Sequence, residues 1–146
     1  MQKNNLIKLK TERDVEADIT FIYVIFWTYE ELLHSLKSLF DRLSEQNTNL
    51  NIDIVIVDNS FTEASEETIN NLNKEIDELN DSKLLRTYFK IKYIVSDRNI
   101  GFGSGCNLGL KVCNTKNVAF VNCDSSFKET DLNNLNEIIK FLNNTN

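Results

Sequence analysis

All four glycines of this chain, Gly101, Gly103, Gly105 and Gly109, fall in one short stretch, and proline is absent from the sequence. Glycine weakens helix and strand interiors and is kept where a chain must turn tightly or come close to another group. Backbone freedom is therefore concentrated at residues 97–110. An apolar β-type run, Tyr93, Ile94 and Val95, precedes that stretch, and a helix-like run from Leu108 to Cys113 follows it. The pattern predicts a strand-to-helix turn. In an α/β protein such a turn either cradles the phosphates of a ligand or lets a helix pack closely on the sheet. Two nucleotide signatures are excluded by spacing. Counting G-x-G-x-x-G from Gly101 ends on Cys106, and from Gly103 on Leu108. No Lys-Ser or Lys-Thr pair follows a glycine, so there is no P-loop.

With 146 residues the chain is sized for one domain with a real core. A net charge of −6 with scattered lysines argues against a non-specific nucleic-acid binder. The longest apolar run, residues 19–27, is too short to span a bilayer and is followed by no small-residue cleavage site, so neither a transmembrane segment nor a signal peptide is expected. Cys106, Cys113 and Cys123 form no C-x-x-C pair, and the single histidine, His34, is remote from them in sequence. That arrangement speaks against zinc and for reduced, buried thiols in the cytoplasm.

The run at 19–27 is apolar at every position and rich in β-branched and aromatic residues, as a central strand covered on both faces would be. Leu32, Leu33, Leu36, Leu39, Phe40 and Leu43 then recur at helical spacing, with Glu30 and Glu31 at the positive end of the helix and His34 off the stripe. A second strand at 52–57 ends on Asp58, Asn59 and Ser60. A polar helix with a sparse stripe of Ile69, Leu72, Ile76 and Leu79 is expected over 62–80, a loop over 80–86, and a third strand within 88–95. After the glycine stretch comes a fourth strand at 118–121, then a helix carrying Leu132, Leu135, Ile138, Ile139 and Leu142 behind a cap at Thr130 or Asp131. Residues 1–18 read as a polar leader with a frayed start, and 19–146 as a single domain. Strands alternating with helices predict an α/β fold, a mainly parallel sheet of about four strands flanked by helices on both faces. Polar residues cluster at the carboxyl ends of the strands, the edge where open α/β sheets bind ligands.

With those strand ends in view, the chain resembles the nucleotide-binding half of family 2 glycosyltransferases, which have the Rossmann-like GT-A fold. The resemblance is carried by Thr28-Tyr29 with Glu31-Leu32-Leu33, by Val55 to Ser60 with Thr62, by Asn99-Ile100-Gly101-Phe102-Gly103 with Asn107-Leu108-Gly109, and by Phe120-Val121-Asn122-Cys123-Asp124. It is closest to the rhamnosyltransferase-like branch. It implies that Thr28 and Tyr29 line the base and ribose pocket, that Asp58 accepts the N–H of a uracil or thymine ring, and that Asn59, Asn99, Gly101 and Asn107 border the nucleotide. It also implies that Asp124 holds a divalent cation, Mg²⁺ or Mn²⁺. The partners would be a nucleotide-sugar donor, UDP- or dTDP-linked, and a glycan or lipid-linked acceptor, with the protein cytoplasmic or peripheral at the inner face of a membrane. Glu30 replaces the family's usual Asn and Cys123 its frequent Pro. The resemblance gives no catalytic base and implies that an acceptor-binding half is lacking.

Two functional classes follow. One is a glycosyltransferase, or the donor-binding domain of one. The other is a truncated, catalytically inactive module of the same fold, acting through a partner chain or a second copy that covers its exposed sheet edge. A nucleotidyltransferase ranks below both, because no basic residue follows a glycine-rich stretch near the first strand.

Overall fold

The computed structural model describes residues 5–8, 16–45, 49–60, 64–82 and 89–145. The strands are β1 (Asn5–Lys8), β2 (Ile19–Ile25), β3 (Ile52–Asp58), β4 (Phe89–Val95) and β5 (Val118–Phe120). The helices are α1 (Tyr29–Leu43), α2 (Ala64–Ser82), α3 (Phe102–Lys111) and α4 (Asp131–Asn144). The sheet order is β1-β4-β3-β2-β5, with β2 to β5 mutually parallel and β1 antiparallel to β4. The chain winds outward from β2 through β3 to β4, then returns to place β5 on the other side of β2. The reversal creates a switch point at the carboxyl ends of β2 and β5, where crossovers leave on opposite sides and a crevice opens.

Strand periodicity decides which side chains meet which helices. Ile19, Phe21, Tyr23 and Ile25 of β2, with Ile52, Ile54 and Ile56 of β3 and Ile91 and Tyr93 of β4, share a core with Leu32, Leu36, Leu39, Phe40 and Leu43 of α1. Ile69 and Leu72 of α2 and Leu132 and Ile139 of α4 complete it. The opposite face carries Ile22, Val55, Val57 and Ile94, covered by Leu108 and Val112 from α3 and its end. Burying each such aliphatic side chain is worth about 1.5–3 kcal/mol, so the α1 stripe alone fixes that helix to the sheet. The expected parallel sheet with helices on both faces is therefore present, as three helices on one face and one on the other.

Four local expectations differ from the structure. Part of the predicted leader is the edge strand β1, whose residues 5–8 pair with Lys92 to Val95; edge pairing runs through the backbone and needs little apolar patterning. The loop expected from Asn80 starts later, because α2 continues to Ser82. The rest of that loop, the Thr62 position, and the side chains of Ile76 and Leu79 lie outside the described residues. The α4 cap is not of the expected kind: Thr130 makes no side-chain cap bond, and Asp131 instead accepts the Lys128 backbone N–H at 2.7 Å. The fourth strand ends at Phe120, although the Val121 N–H still bonds to Ile22 O.

The glycine stretch supplies a turn and a close packing of helix on sheet. Gly101 makes the turn at φ 82°, a conformation L side chains rarely adopt. Gly105 and Gly109 lie inside α3 and let it sit against β2: a Cβ at Gly105 would meet Val24 at 2.6 Å, and one at Gly109 would meet Ile22 at 2.7 Å.

Candidate functional site

The register aligns the carboxyl ends of the three central strands. Ile25, Asp58 and Val95 are opposite one another across β2, β3 and β4. Beyond that row, the Asn59 N–H bonds to Ile25 O and the Ser96 N–H to Asp58 O, both at 2.9 Å. The edge is thus continued by one more rung of backbone hydrogen bonds, which sets the starting points of the loops above it.

Asp58 is fully buried, at 0% exposure. Its Oδ1 accepts the backbone N–H of Ser60 at 2.8 Å, and its Oδ2 accepts the Tyr93 hydroxyl at 2.7 Å. The first bond closes an Asx turn at the end of β3; the second ties that turn to β4. The resemblance gives Asp58 the role of a base contact, and in the structure its carboxylate also serves the chain itself. Buried and bonded to Ser60 and Tyr93, it orders the edge from below.

Above Asp58 the bonds continue outward. Ser60 Oγ accepts the Trp27 backbone N–H at 2.7 Å, and Trp27 stands at φ 59°, a left-handed conformation uncommon for a bulky residue. Its indole is 56% exposed and meets Tyr29 edge to face, with ring centroids 6.5 Å apart. Asn59 Nδ2 donates to Gly101 O at 3.2 Å, and the Gly101 N–H bonds to Asn99 Oδ1 at 2.9 Å. Asn59, Asn99 and Gly101 are therefore one connected unit. Asn59 Oδ1, buried beneath it, has no hydrogen-bond partner among the described residues.

The Asp124 loop reaches the same edge from β5. Cys123 Sγ donates to Thr28 Oγ1 at 3.2 Å. Phe127 stacks on Phe21 with centroids 5.6 Å apart, and its N–H bonds to Ser38 Oγ at 2.9 Å. Held at both ends, the turn Asn122–Ser125, closed by the Ser125 N–H to Asn122 O, leaves Asp124 exposed next to the α1 start. The structure brings Thr28 and the Asp124 loop together on one side of the edge, and Asn59, Asn99 and Gly101 together on the other. Asn107 stands apart from the Asp124 turn. It lines a cavity of about 660 Å³ with Arg98, Asn99, Ile100, Ser104, Leu108 and Lys111.

A cation at Asp124 would find one exposed carboxylate with the oxygens of Asn122, Ser125 and Ser126 as neighbours in sequence. Among the described residues no group of three or more His, Cys, Asp or Glu side chains could hold a metal ion alone. The donor set is all oxygen, which fits Mg²⁺ or Mn²⁺, and it is sparse, which fits an ion completed by substrate phosphates. Of the carboxylates that follow, Asp131 accepts the Lys128 N–H and Glu137 pairs with Lys140 at 2.9 Å. The three cysteines are free and half-buried, and burial pushes the Cys113 thiol up from its ordinary range.

Sequence reasoning passed over Tyr93, Ser60 and Trp27. Two of them had a signal. Asp-x-Ser is an Asx-turn pattern, and Tyr93 shares strand parity with Ile91 on the face toward α1. Trp27 had none, because its left-handed backbone follows from the bonds around it.

The sequence profile of Glycosyl transferase family 2 matches residues 23–145. No curated protein sequence matches the chain. Among solved structures, S. aureus TarS 1-349 matches with TM-score 0.54 at 19% identity, over 84% of this chain and 32% of that one. The same protein in complex with UDP-GlcNAc gives TM-score 0.56 at 19% identity, over 84% of this chain and 31% of that one. The mannosyltransferase PcManGT from Pyrobaculum calidifontis, in complex with GDP-Man and Mn²⁺, gives 0.53 at 10% identity, over 84% of this chain and 32% of that one. At such identities the likeness is one of fold, and the chain spans about a third of the length of these relatives. The fold, the four strand-end motifs in their order and the profile match over most of the sequence agree: this chain belongs to Glycosyl transferase family 2.

Proposed function

We propose that this chain binds the nucleoside diphosphate of a UDP- or dTDP-sugar at the carboxyl edge of its sheet and, as the donor-binding part of a glycosyltransferase, presents the sugar to a glycan or lipid-linked acceptor. One observation carries the reading: the strand-end motifs line up along the carboxyl edge of the parallel strands of a family 2 fold, on either side of β3. Matched proteins crystallised with UDP-GlcNAc or with GDP-Man and Mn²⁺ support it. The turn from Asn99 to Gly103 favours a rhamnosyltransferase-like relative within the family.

In this reading Thr28 and Tyr29 border the base and ribose, and Asn59, Asn99 and Gly101 form the opposite wall. Asp58 acts as a positioning residue, holding Ser60 and, through it, Trp27. Asp124 holds Mg²⁺ or Mn²⁺, which when bound neutralises charge on the departing diphosphate. In the transfer, an acceptor hydroxyl oxygen bonds to the anomeric carbon, the bond from that carbon to the phosphate oxygen breaks, and the nucleoside diphosphate leaves with the electron pair. The hydroxyl proton goes to a base supplied by an acceptor-binding half. Among the described residues no helix is long and apolar enough to cross a membrane, which is compatible with work in the cytoplasm or against its membrane face.

A second reading, an inactive module acting through a partner chain, is favoured by the β5 side of the molecule. Among the described residues β5 pairs only with β2, and its last residue, Phe120, is 52% exposed, with Phe141 on α4 67% exposed. The partner in that case is a polypeptide carrying the acceptor-binding half and adding a strand at β5.

Thermal-shift titration with UDP, dTDP, GDP and ADP, each with Mn²⁺, Mg²⁺ or EDTA, tests the donor reading. Ligand at a hundred times its dissociation constant stabilises the native state by about 2.7 kcal/mol, a shift of several degrees. A metal-dependent shift with UDP or dTDP supports it; no shift with any nucleotide removes it and leaves the module.

A further inference from the structure

Two serines of α1, Ser35 and Ser38, have no part in the donor reading, and they sit in a helix otherwise buried through leucine and phenylalanine. Serine is a modest helix former, because its hydroxyl competes for the backbone. Ser38 gives that hydroxyl two partners. It donates to Ser35 O at 2.7 Å, one turn back, and its oxygen accepts the Phe127 backbone N–H at 2.9 Å. Ser35 is fully buried, with its Oγ 3.0 Å from the Tyr23 hydroxyl. These bonds link β2, α1 and the segment after β5.

A second tether lies upstream in the same segment. Cys123 Sγ donates to Thr28 Oγ1 at 3.2 Å, and Thr28, the N-cap residue of α1, makes no side-chain cap bond to its own helix. Threonine at an N-cap ordinarily accepts from the first-turn N–H groups, so here its hydroxyl serves the segment after β5 instead. Phe127 is fixed by its ring as well, stacked on the buried Phe21 with an interplanar angle of 13°. Only Asp124, Ser125 and Ser126 lie between the two tethers, and the Ser125 N–H closes a turn on Asn122 O. The exposed Asp124 thus belongs to a segment held on both sides by one helix, whose first residue is Tyr29.

A carboxylate on a free turn samples many positions, and freezing them when a ligand binds lowers affinity; one held in advance avoids that loss. We propose that Ser38 and Cys123 are positioning residues for the cation: they clamp the segment 123–127 to α1 and so fix the Asp124 carboxylate relative to Thr28 and Tyr29. This role rests on the donor reading, in which Asp124 holds Mg²⁺ or Mn²⁺ and Thr28 and Tyr29 border the base and ribose. It goes beyond that reading by making the spacing between the two ends of the ligand a property of α1. Neither Ser38 nor Cys123 touches the ligand; each acts through the main chain on its own side of Asp124.

The test reads amide hydrogen exchange by NMR in the free protein, and Mn²⁺ affinity from the paramagnetic signal of the free ion with and without UDP. The variants are Ser38→Ala and Cys123→Ala, with the conservative Ser38→Thr and Cys123→Ser. Ser44→Ala, which removes a hydroxyl donating to Asp41 O at the far end of α1, is the control. Both of the first two variants are expected to speed exchange at Ser125 and Phe127, and to weaken Mn²⁺ in the presence of UDP, by about fivefold, as the net worth of one hydrogen bond implies. Uridine in EDTA, which reads the base wall alone, should bind them as it binds wild type. The conservative variants and the control should behave as wild type throughout. Unchanged exchange in Ser38→Ala and Cys123→Ala overturns the clamp. Faster exchange with unchanged Mn²⁺ affinity overturns the positioning role, as does a loss that neither Ser38→Thr nor Cys123→Ser restores. Failure of UDP to tighten Mn²⁺ in wild type removes the donor reading, and the positioning role is then decided by Mn²⁺ alone against the same variants.

Discussion

The Tyr93 hydroxyl donates to Asp58 Oδ2 at 2.7 Å across the join of β4 and β3, with both residues fully buried. This bond, with the one from the Ser60 N–H, makes Asp58 part of the scaffold under the candidate site. Tyr93→Phe removes one charge-assisted bond and should cost about 1.5–3 kcal/mol. Asp58→Ala strands two buried donors, at about 1–3 kcal/mol each, and should cost about 2–6 kcal/mol, by urea denaturation. Because the bond is shared, the double variant should cost less than the sum. Strict additivity, or an Asp58→Ala as stable as wild type, would count against this role.

Gly103, Gly105 and Gly109 share a helix but not a fate. Alanine at Gly105 or Gly109 would press on Val24 or Ile22, whose branched side chains have few rotamers to retreat to. Overpacking costs about 1–3 kcal/mol, against a helix-propensity gain of about 1 kcal/mol, so both variants should be neutral to destabilised. Alanine at Gly103 meets nothing and should stabilise by about 0.5–1 kcal/mol. Thermal melts of the three single variants decide it: equal shifts would mean that close packing of α3 on β2 is not what the glycines serve.

Tyr23 lies in the core with its hydroxyl 3.0 Å from Ser35 Oγ, and burial pushes its pKa up from 10.0 to about 12. Below pH 10 both folded and unfolded chains keep this proton, so its contribution to stability is constant there. Between 10 and 12 only the unfolded chain releases it, and stability falls by about 2–3 kcal/mol across that window. Tyr23→Phe should lose the Ser35 bond yet flatten this part of the pH profile. A variant that falls as steeply as wild type would assign the loss to another group.

Trp27 pays for its left-handed backbone with strain of about 1–2 kcal/mol, which glycine would relieve. More than half exposed, the indole contributes modest burial. Trp27→Gly should therefore match or exceed the stability of Trp27→Ala, the reverse of the usual order, in chemical denaturation. Ala above Gly by 0.5 kcal/mol or more, roughly the ordinary cost of glycine, would show that the strain is not felt.

Asp124 is one carboxylate where a cation needs several oxygens. Mn²⁺ should then bind the chain weakly by itself and at least tenfold more tightly with UDP present, followed by the paramagnetic signal of the free ion. Asp124→Ala should abolish that enhancement while leaving the melting temperature of the free protein within about 2 °C, since the residue is exposed. Equal enhancement in the variant would move the metal elsewhere.

Much of this architecture is legible in the sequence because period and composition report burial directly. The unbroken apolar run at β2 requires cover on both faces, and the stripe from Leu32 to Leu43 requires one buried side of a helix. The carboxyl-edge clustering of Thr28, Asp58, Asn99 and Asp124 follows from strand order alone. β1 was not legible, since an edge strand satisfies its backbone without an apolar pattern, and neither was the end of α2, whose last turn is polar.

What the sequence by itself determined is the alternation of strand and helix, the faces that must be buried, and the single place where the backbone is free to turn. Only the tertiary structure decided what the polar residues at the edge do. That Asp58 also ties the end of β3 to β4 shows only once Tyr93 and Ser60 are seen to bond its two oxygens. The same glycines read as a phosphate cradle or a packing seam until Val24 and Ile22 are found against two of them. A side chain's chemistry is local, but whether it faces solvent or its own chain depends on residues tens of positions away.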